Sequence, residues 1–171
     1  MEIDKQVNTP DQNEANTRTF NAHLTDSREA VNFYAGYLAR LGCRIEMPEE
    51  RLTPSYAQRM EYADGGDLFT RIGDKRIRLE VKQRRNIDFT CRADYPYQSI
   101  MVCAAHSWEL ADPKPYVYVI LNRSLTAAAY ILGDTSPEWW VEERKDKRYY
   151  NYVQRFFFAN LDCVKWKRLV T

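Results

Sequence analysis

The stretch from Gly65 to Lys82 (Gly-Gly-Asp-Leu-Phe-Thr-Arg-Ile-Gly-Asp-Lys-Arg-Ile-Arg-Leu-Glu-Val-Lys) constrains the fold more than any other part of the chain. Gly73-Asp74 separates two short runs of β-forming residues, and a Gly-first pair suits the two-residue type II′ turn of a hairpin. With those two residues as the turn, Ile72 falls opposite Lys75, Thr70 opposite Ile77, and Leu68 opposite Leu79. One step further, the same register sets Asp67 across from Glu80. Side chains alternate faces along a strand, so Leu68, Thr70, Ile72, Ile77, Leu79 and Val81 are predicted to face a core. The other face carries Asp67, Phe69, Arg71, Arg76, Arg78, Glu80, Lys82 and Arg84. Directly opposed like charges destabilise a strand pair by roughly 0.2–1 kcal/mol, so a positive charge is expected between Asp67 and Glu80. A divalent cation with oxygen ligands fits, because Mg2+ commonly takes one or two carboxylates together with substrate phosphate and water.

Asp67 on one strand, followed by Glu80-Val81-Lys82 on the next, resembles the motif of the PD-(D/E)XK nuclease superfamily, the restriction-endonuclease-like proteins. The likeness is close over the hairpin and loose over residues 25–131, through an order of helix, strands and further strands. It implies an α/β (α+β) fold with a central mixed sheet, an N-terminal helix packed on it, and a β-rich C-terminal half. It also implies that Asp67 and Glu80 hold one or two Mg2+ (or Mn2+) ions, with the Val81 backbone carbonyl as a further ligand. Lys82 would orient the attacking water and stabilise charge on the transition state. Such enzymes often add an acid from the first helix, and Glu29 is the candidate here. Glu29 reads more simply as the partner of Asp26 in a helix capping box. Two departures stand out. Gly66 occupies the place of the name-giving Pro, and no Gln-x-x-x-Tyr element is found, since Gln98 is followed at that spacing by Val102.

The implied activity is metal-dependent hydrolysis of phosphodiester bonds in DNA, by an endonuclease rather than an exonuclease, of the type carried by phages and other mobile elements. A homodimer is compatible with cutting a duplex. The alternative is a non-catalytic module on the same fold that binds nucleic acid or protein, for instance a phage inhibitor of a host defence system. Glycoside hydrolysis by the acid pair suits the sequence poorly, because directly opposed strand residues bring the carboxyls closer than that chemistry requires.

Charge supports a polyanion near the acids. The 171 residues carry 25 Lys and Arg against 24 Asp and Glu, but residues 1–66 are net −4 and residues 71–92 net +5. Arg76, Arg78 and Arg84 alternate on the Glu80 face, with Arg85 adjoining, and are predicted to grip phosphates. The competing reading is an exposed strand edge blunted by charge against aggregation. Length suits one domain, read as residues 23–171 behind a polar N-terminal arm of residues 1–22. No apolar run approaches the roughly 20 residues of a membrane helix, and no signal-peptide pattern opens the chain, so the expected location is cytoplasmic. Cys43, Cys91, Cys103 and Cys163 form no Cys-x-x-Cys pair, and with His23 and His106 as the two histidines they read as free thiols rather than a zinc site.

Elsewhere, Asp26 is predicted to start a helix that Gly42 ends, with Ala30, Val31, Tyr34, Leu38 and Leu41 on its apolar stripe. Residues 44–46 read as a short strand, and residues 47–64 as a loop with a helical turn near 55–61. Asp64 in that loop is the second choice to Asp67 as a ligand. Strands are predicted at residues 99–104, 116–121 and 125–132, the last two antiparallel, and at 154–159 and 163–169. Trp139, Trp140 and Tyr152 read chiefly as packing, with base stacking the lesser alternative.

Overall fold

In a computed structural model, which describes residues 9–49, 51–58, 66–149 and 152–170, the first element is a long helix, α1 (Pro10–Arg40). Its start is local chemistry. The Thr9 hydroxyl accepts from the Gln12 N–H at 3.3 Å, the Gln12 side chain accepts from the Thr9 N–H at 2.9 Å, and Pro10 supplies a first-turn residue that needs no N–H partner. The helix therefore begins well before Asp26, and residues 10–22 are helical rather than an arm. Asp26 and Glu29 sit in mid-helix, so neither caps it. Leu41 closes the helix and Gly42 follows, as the sequence predicts.

Among the described residues eight strands follow: β1 (Leu68–Ile72), β2 (Lys75–Gln83), β3 (Ser99–Ala104), β4 (Val117–Leu121), β5 (Ala127–Leu132), β6 (Trp140–Asp146), β7 (Tyr152–Asn160) and β8 (Val164–Arg168). They form a five-stranded sheet in the order β1-β2-β4-β5-β8 and a three-stranded sheet in the order β3-β7-β6. The larger sheet is mixed, with β2 and β4 parallel and its other pairs antiparallel. This is an α+β fold with an N-terminal helix on a mixed sheet and a second sheet besides. A short helix not anticipated in the sequence, α2 (Ala105–Leu110), follows β3. Residues 44–46 make a single bridge, Glu46 to Phe69, instead of a strand. Of the helical turn expected near 55–61, the described part is a 3₁₀ turn at Tyr56–Gln58; residues 59–61 and Asp64 lie outside the described residues.

Both faces of the larger sheet are covered. Ala30, Val31, Tyr34 and Tyr37 of α1 pack on Leu79, Val81, Val117, Val119 and Leu121. On the other side, Tyr118, Ile120, Ala129 and Ile131 meet Ile100, Val102 and Ala159 of the smaller sheet. This explains why β4 is buried at every position, a continuous apolar run where a half-exposed strand would alternate. Trp139 is buried in this second core. Trp140 is more exposed and stacks on Phe158, so both tryptophans are occupied by packing.

Candidate functional site

The hairpin folds in the register read from its turn. Ile72 pairs with Lys75, Thr70 with Ile77 and Leu68 with Leu79. Gly73 has φ +58° and Asp74 does not share the positive φ, as a type II′ turn requires. Leu68, Thr70, Ile77, Leu79 and Val81 are buried; Ile72, next to the turn, is exposed.

Strand alternation then decides what meets what. The odd-numbered residues of β2 face α1, and the even-numbered ones face away from it. Glu80 pairs in register with Tyr118, and Lys82 with Ile120, so both lie on the side of the smaller sheet. Asp67, one residue before β1, joins them. Its Oδ2 accepts from the Val81 N–H at 2.7 Å, and its carboxyl lies within hydrogen-bonding reach of Glu80. In an antiparallel pair a residue's N–H and C=O point to the same side. The Val81 carbonyl therefore faces the same edge as the N–H that Asp67 holds, just past the end of β1.

The positive charge that the acid pair demands is present in the chain itself. Arg78, two residues before Glu80 on the same face, is 2% exposed; its Nε donates to Glu80 Oε1 at 2.7 Å, and its guanidinium reaches the Pro113 carbonyl at 3.4 Å. Gly66 makes room for it. At φ +77° an added Cβ would lie 2.8 Å from the Arg78 Nε, so a side chain there meets both backbone strain and a clash.

Electrostatics follow from this crowding. Burial, and then the charge of Asp67, push the Glu80 carboxyl up to about 7, against the pull of Arg78 and Lys82. Burial also raises Asp67, opposed by the Val81 N–H and by the positive charges of Lys82 and Arg78. Near neutral pH the two acids therefore share less than two full negative charges. Lys82 is half-buried beside them, and no carboxylate among the described residues forms a salt bridge with it.

The remaining predicted site residues lie elsewhere. Glu29 is on α1, across the sheet from Glu80, exposed and 3.6 Å from Arg85, so it does not join the acids. Arg85 is held by α1, donating to the Asp26 carbonyl at 2.9 Å. Arg84 reaches the smaller sheet, donating to the Met101 carbonyl at 2.7 Å. Arg76 is paired with Glu46 at 2.6 Å. Of the four arginines predicted to grip phosphate, all are engaged within the chain, and Arg78 belongs to the acid cluster. The sequence contains the signal for that: residues i and i+2 on a strand share a face, so Arg78 is as close a neighbour of Glu80 as Lys82 is.

As a cation site the donor set is two carboxylates and one backbone carbonyl. Among the described residues no three His, Cys, Asp or Glu side chains converge as a metal cluster. Two carboxylates are nevertheless a sufficient protein contribution for Mg2+, which completes its shell with water and phosphate. Val81 N–H engages one oxygen of Asp67 and Arg78 engages one oxygen of Glu80, which leaves one oxygen of each carboxyl for the shared proton or a cation. The residues fit the ion. Comparison with protein-family models, with curated proteins and with solved structures gives no match, so the hairpin's likeness rests on its own residues and geometry.

Proposed function

We propose that the chain is a metal-dependent nuclease of the PD-(D/E)XK, restriction-endonuclease-like type, acting on DNA in the cytoplasm. The observation that carries this reading is the meeting of the Asp67 and Glu80 carboxyls at the open end of the hairpin, with Lys82 beside them on the same face and in no salt bridge among the described residues. Asp67, Glu80 and the Val81 carbonyl would hold Mg2+ or Mn2+. When bound there, the ion supplies Lewis-acid polarisation of a phosphoryl oxygen and of the attacking water. Lys82 keeps its ammonium one pleat from Glu80, where it steadies negative charge gathering on the phosphate. Arg78 fixes the Glu80 carboxylate from below, and a strand-borne group of this kind is prepositioned without cost at the moment of reaction. Two-strand cutting of a duplex would suit a homodimer.

A second reading has an observation of its own. The buried Arg78–Glu80 ion pair already neutralises half of the acid cluster, as a binding module without catalysis would need. Cleavage separates the two. Supercoiled and linear DNA are incubated with Mg2+ or Mn2+ and either the wild type, Lys82→Ala or Asp67→Asn. The nuclease reading expects metal-dependent nicking or linearisation, lowered at least about 100-fold in both variants. DNA binding with no cutting by the wild type in either metal would leave the binding module in its place.

A further inference from the structure

The outer edge of β1 carries a second charged site that the acid pair does not use. Arg44, Glu46, Phe69, Arg71 and Arg76 are among the residues lining a cleft of about 240 Å³. Two backbone hydrogen bonds fix its wall: the Glu46 N–H donates to the Phe69 carbonyl at 2.9 Å, and the Phe69 N–H to the Glu46 carbonyl at 2.8 Å. Arg76 grips the Glu46 carboxylate with two hydrogen bonds, at 2.6 and 3.0 Å, while its guanidinium lies 3.5 Å from the centroid of the Phe69 ring. Arg71 donates to the Asp74 carbonyl at 3.0 Å, and no carboxylate among the described residues forms a salt bridge with Arg44 or Arg71. Three arginines thus line one cleft with a single carboxylate, which Arg76 alone bonds, and together the four groups are net +2. The Glu46 carboxyl is held below its ordinary value by Arg76 first, and by the charges of Arg71 and Arg44.

Phe69, Arg71 and Arg76 stand on the face of the hairpin that carries Asp67 and Glu80. Glu80 lies four positions along β2 from Arg76, about 13 Å along a strand. The planar, forked guanidinium matches the oxygens of a phosphate as well as those of a carboxylate. We propose that this cleft is a phosphate subsite for the DNA strand acted on at Asp67 and Glu80, in which Glu46 occupies the anion position until a backbone phosphate displaces it. That the ligand is a DNA strand rests on the nuclease reading; the gathering of three arginines in one cleft with a displaceable carboxylate does not.

Variants with opposite signs test it. Binding of short fluorescein-labelled single-stranded and duplex DNA is followed by anisotropy in a chelating buffer, over a range of salt concentrations. Glu46→Gln, which keeps the backbone bridge and removes the competing charge, is expected to tighten binding several-fold. Arg44→Ala with Arg71→Ala is expected to weaken it at least about tenfold and to reduce the log–log salt slope by about 0.7–0.9 per arginine. Thermal melts establish that both variants fold. Equal affinity in wild type and both variants, or no measurable binding by the wild type, would overturn the proposal. Inorganic phosphate added alone distinguishes the source of the anion. If it perturbs the Glu46 and Arg71 NMR signals while DNA affinity ignores both variants, the cleft serves some other phosphate and the assignment to DNA falls. Nothing is cut in chelator, so failure here is distinct from failure of cleavage, and Asp67→Asn is expected to bind DNA at least as well as the wild type.

Discussion

Glu80 is held between two demands. The low polarity around it, and then Asp67 beside it, favour the neutral acid, whereas Arg78 favours the carboxylate, and the balance leaves the group at about 7 against an ordinary 4.5. A carboxyl whose folded value is raised contributes stability fully below its unfolded value and loses that contribution as pH rises through the folded one. The metal-free protein is therefore expected to lose up to about 3 kcal/mol of stability between pH 4.5 and pH 8 from this group, with Asp67 acting in the same direction. Urea unfolding at several pH values in chelator, with Glu80→Gln expected to flatten the profile, checks this. Arg78 is the other side of the balance. Replacing it with Met leaves Glu80 without its partner in a dry site and is expected to cost about 3–5 kcal/mol by denaturant titration.

At the scale of elements, the hairpin is the part most legible in the sequence. Turn chemistry fixed its register, register fixed the two faces, and period-two alternation then placed Asp67, Glu80 and Lys82 together. Beyond pattern lay the partner of each charge. Arg76, Arg78, Arg84 and Arg85 look alike in sequence, yet each is claimed by a different element brought near by the fold: the Glu46 bridge, the acid pair, β3 and α1. The helix start lies outside the apolar pattern for another reason. An apolar stripe marks where a helix packs, not where it begins, and Thr9-Pro10-Asp11-Gln12 carries its own start signal upstream of the stripe. Thr9→Ala is expected to remove that cap, lowering stability by about 1 kcal/mol and raising amide exchange in the first turns of α1. Gly66→Ala is expected to cost about 1–3 kcal/mol, from strain at positive φ and from displacement of Arg78.

Across the whole molecule, the larger sheet is a wall with α1 on one side and the smaller sheet on the other, and the acid pair opens on the latter side. That placement explains its dryness: Tyr118, paired with Glu80, is buried in the second core. It also removes Glu29 from the site, because α1 covers the opposite face. Arg84 ties the layers by its bond to the Met101 carbonyl, and Arg84→Ala is expected to lower stability by about 1–3 kcal/mol, read from the midpoint of thermal or urea unfolding. The account depends most on whether the open end of the hairpin accepts a hard cation although Arg78 is already there. Paramagnetic broadening of amide NMR signals by Mn2+ at pH 8 detects even weak occupancy. Broadening centred on Asp67, Glu80 and Val81, and abolished in Asp67→Asn, is the predicted result; broadening elsewhere on the chain, or none at these three residues, would contradict it.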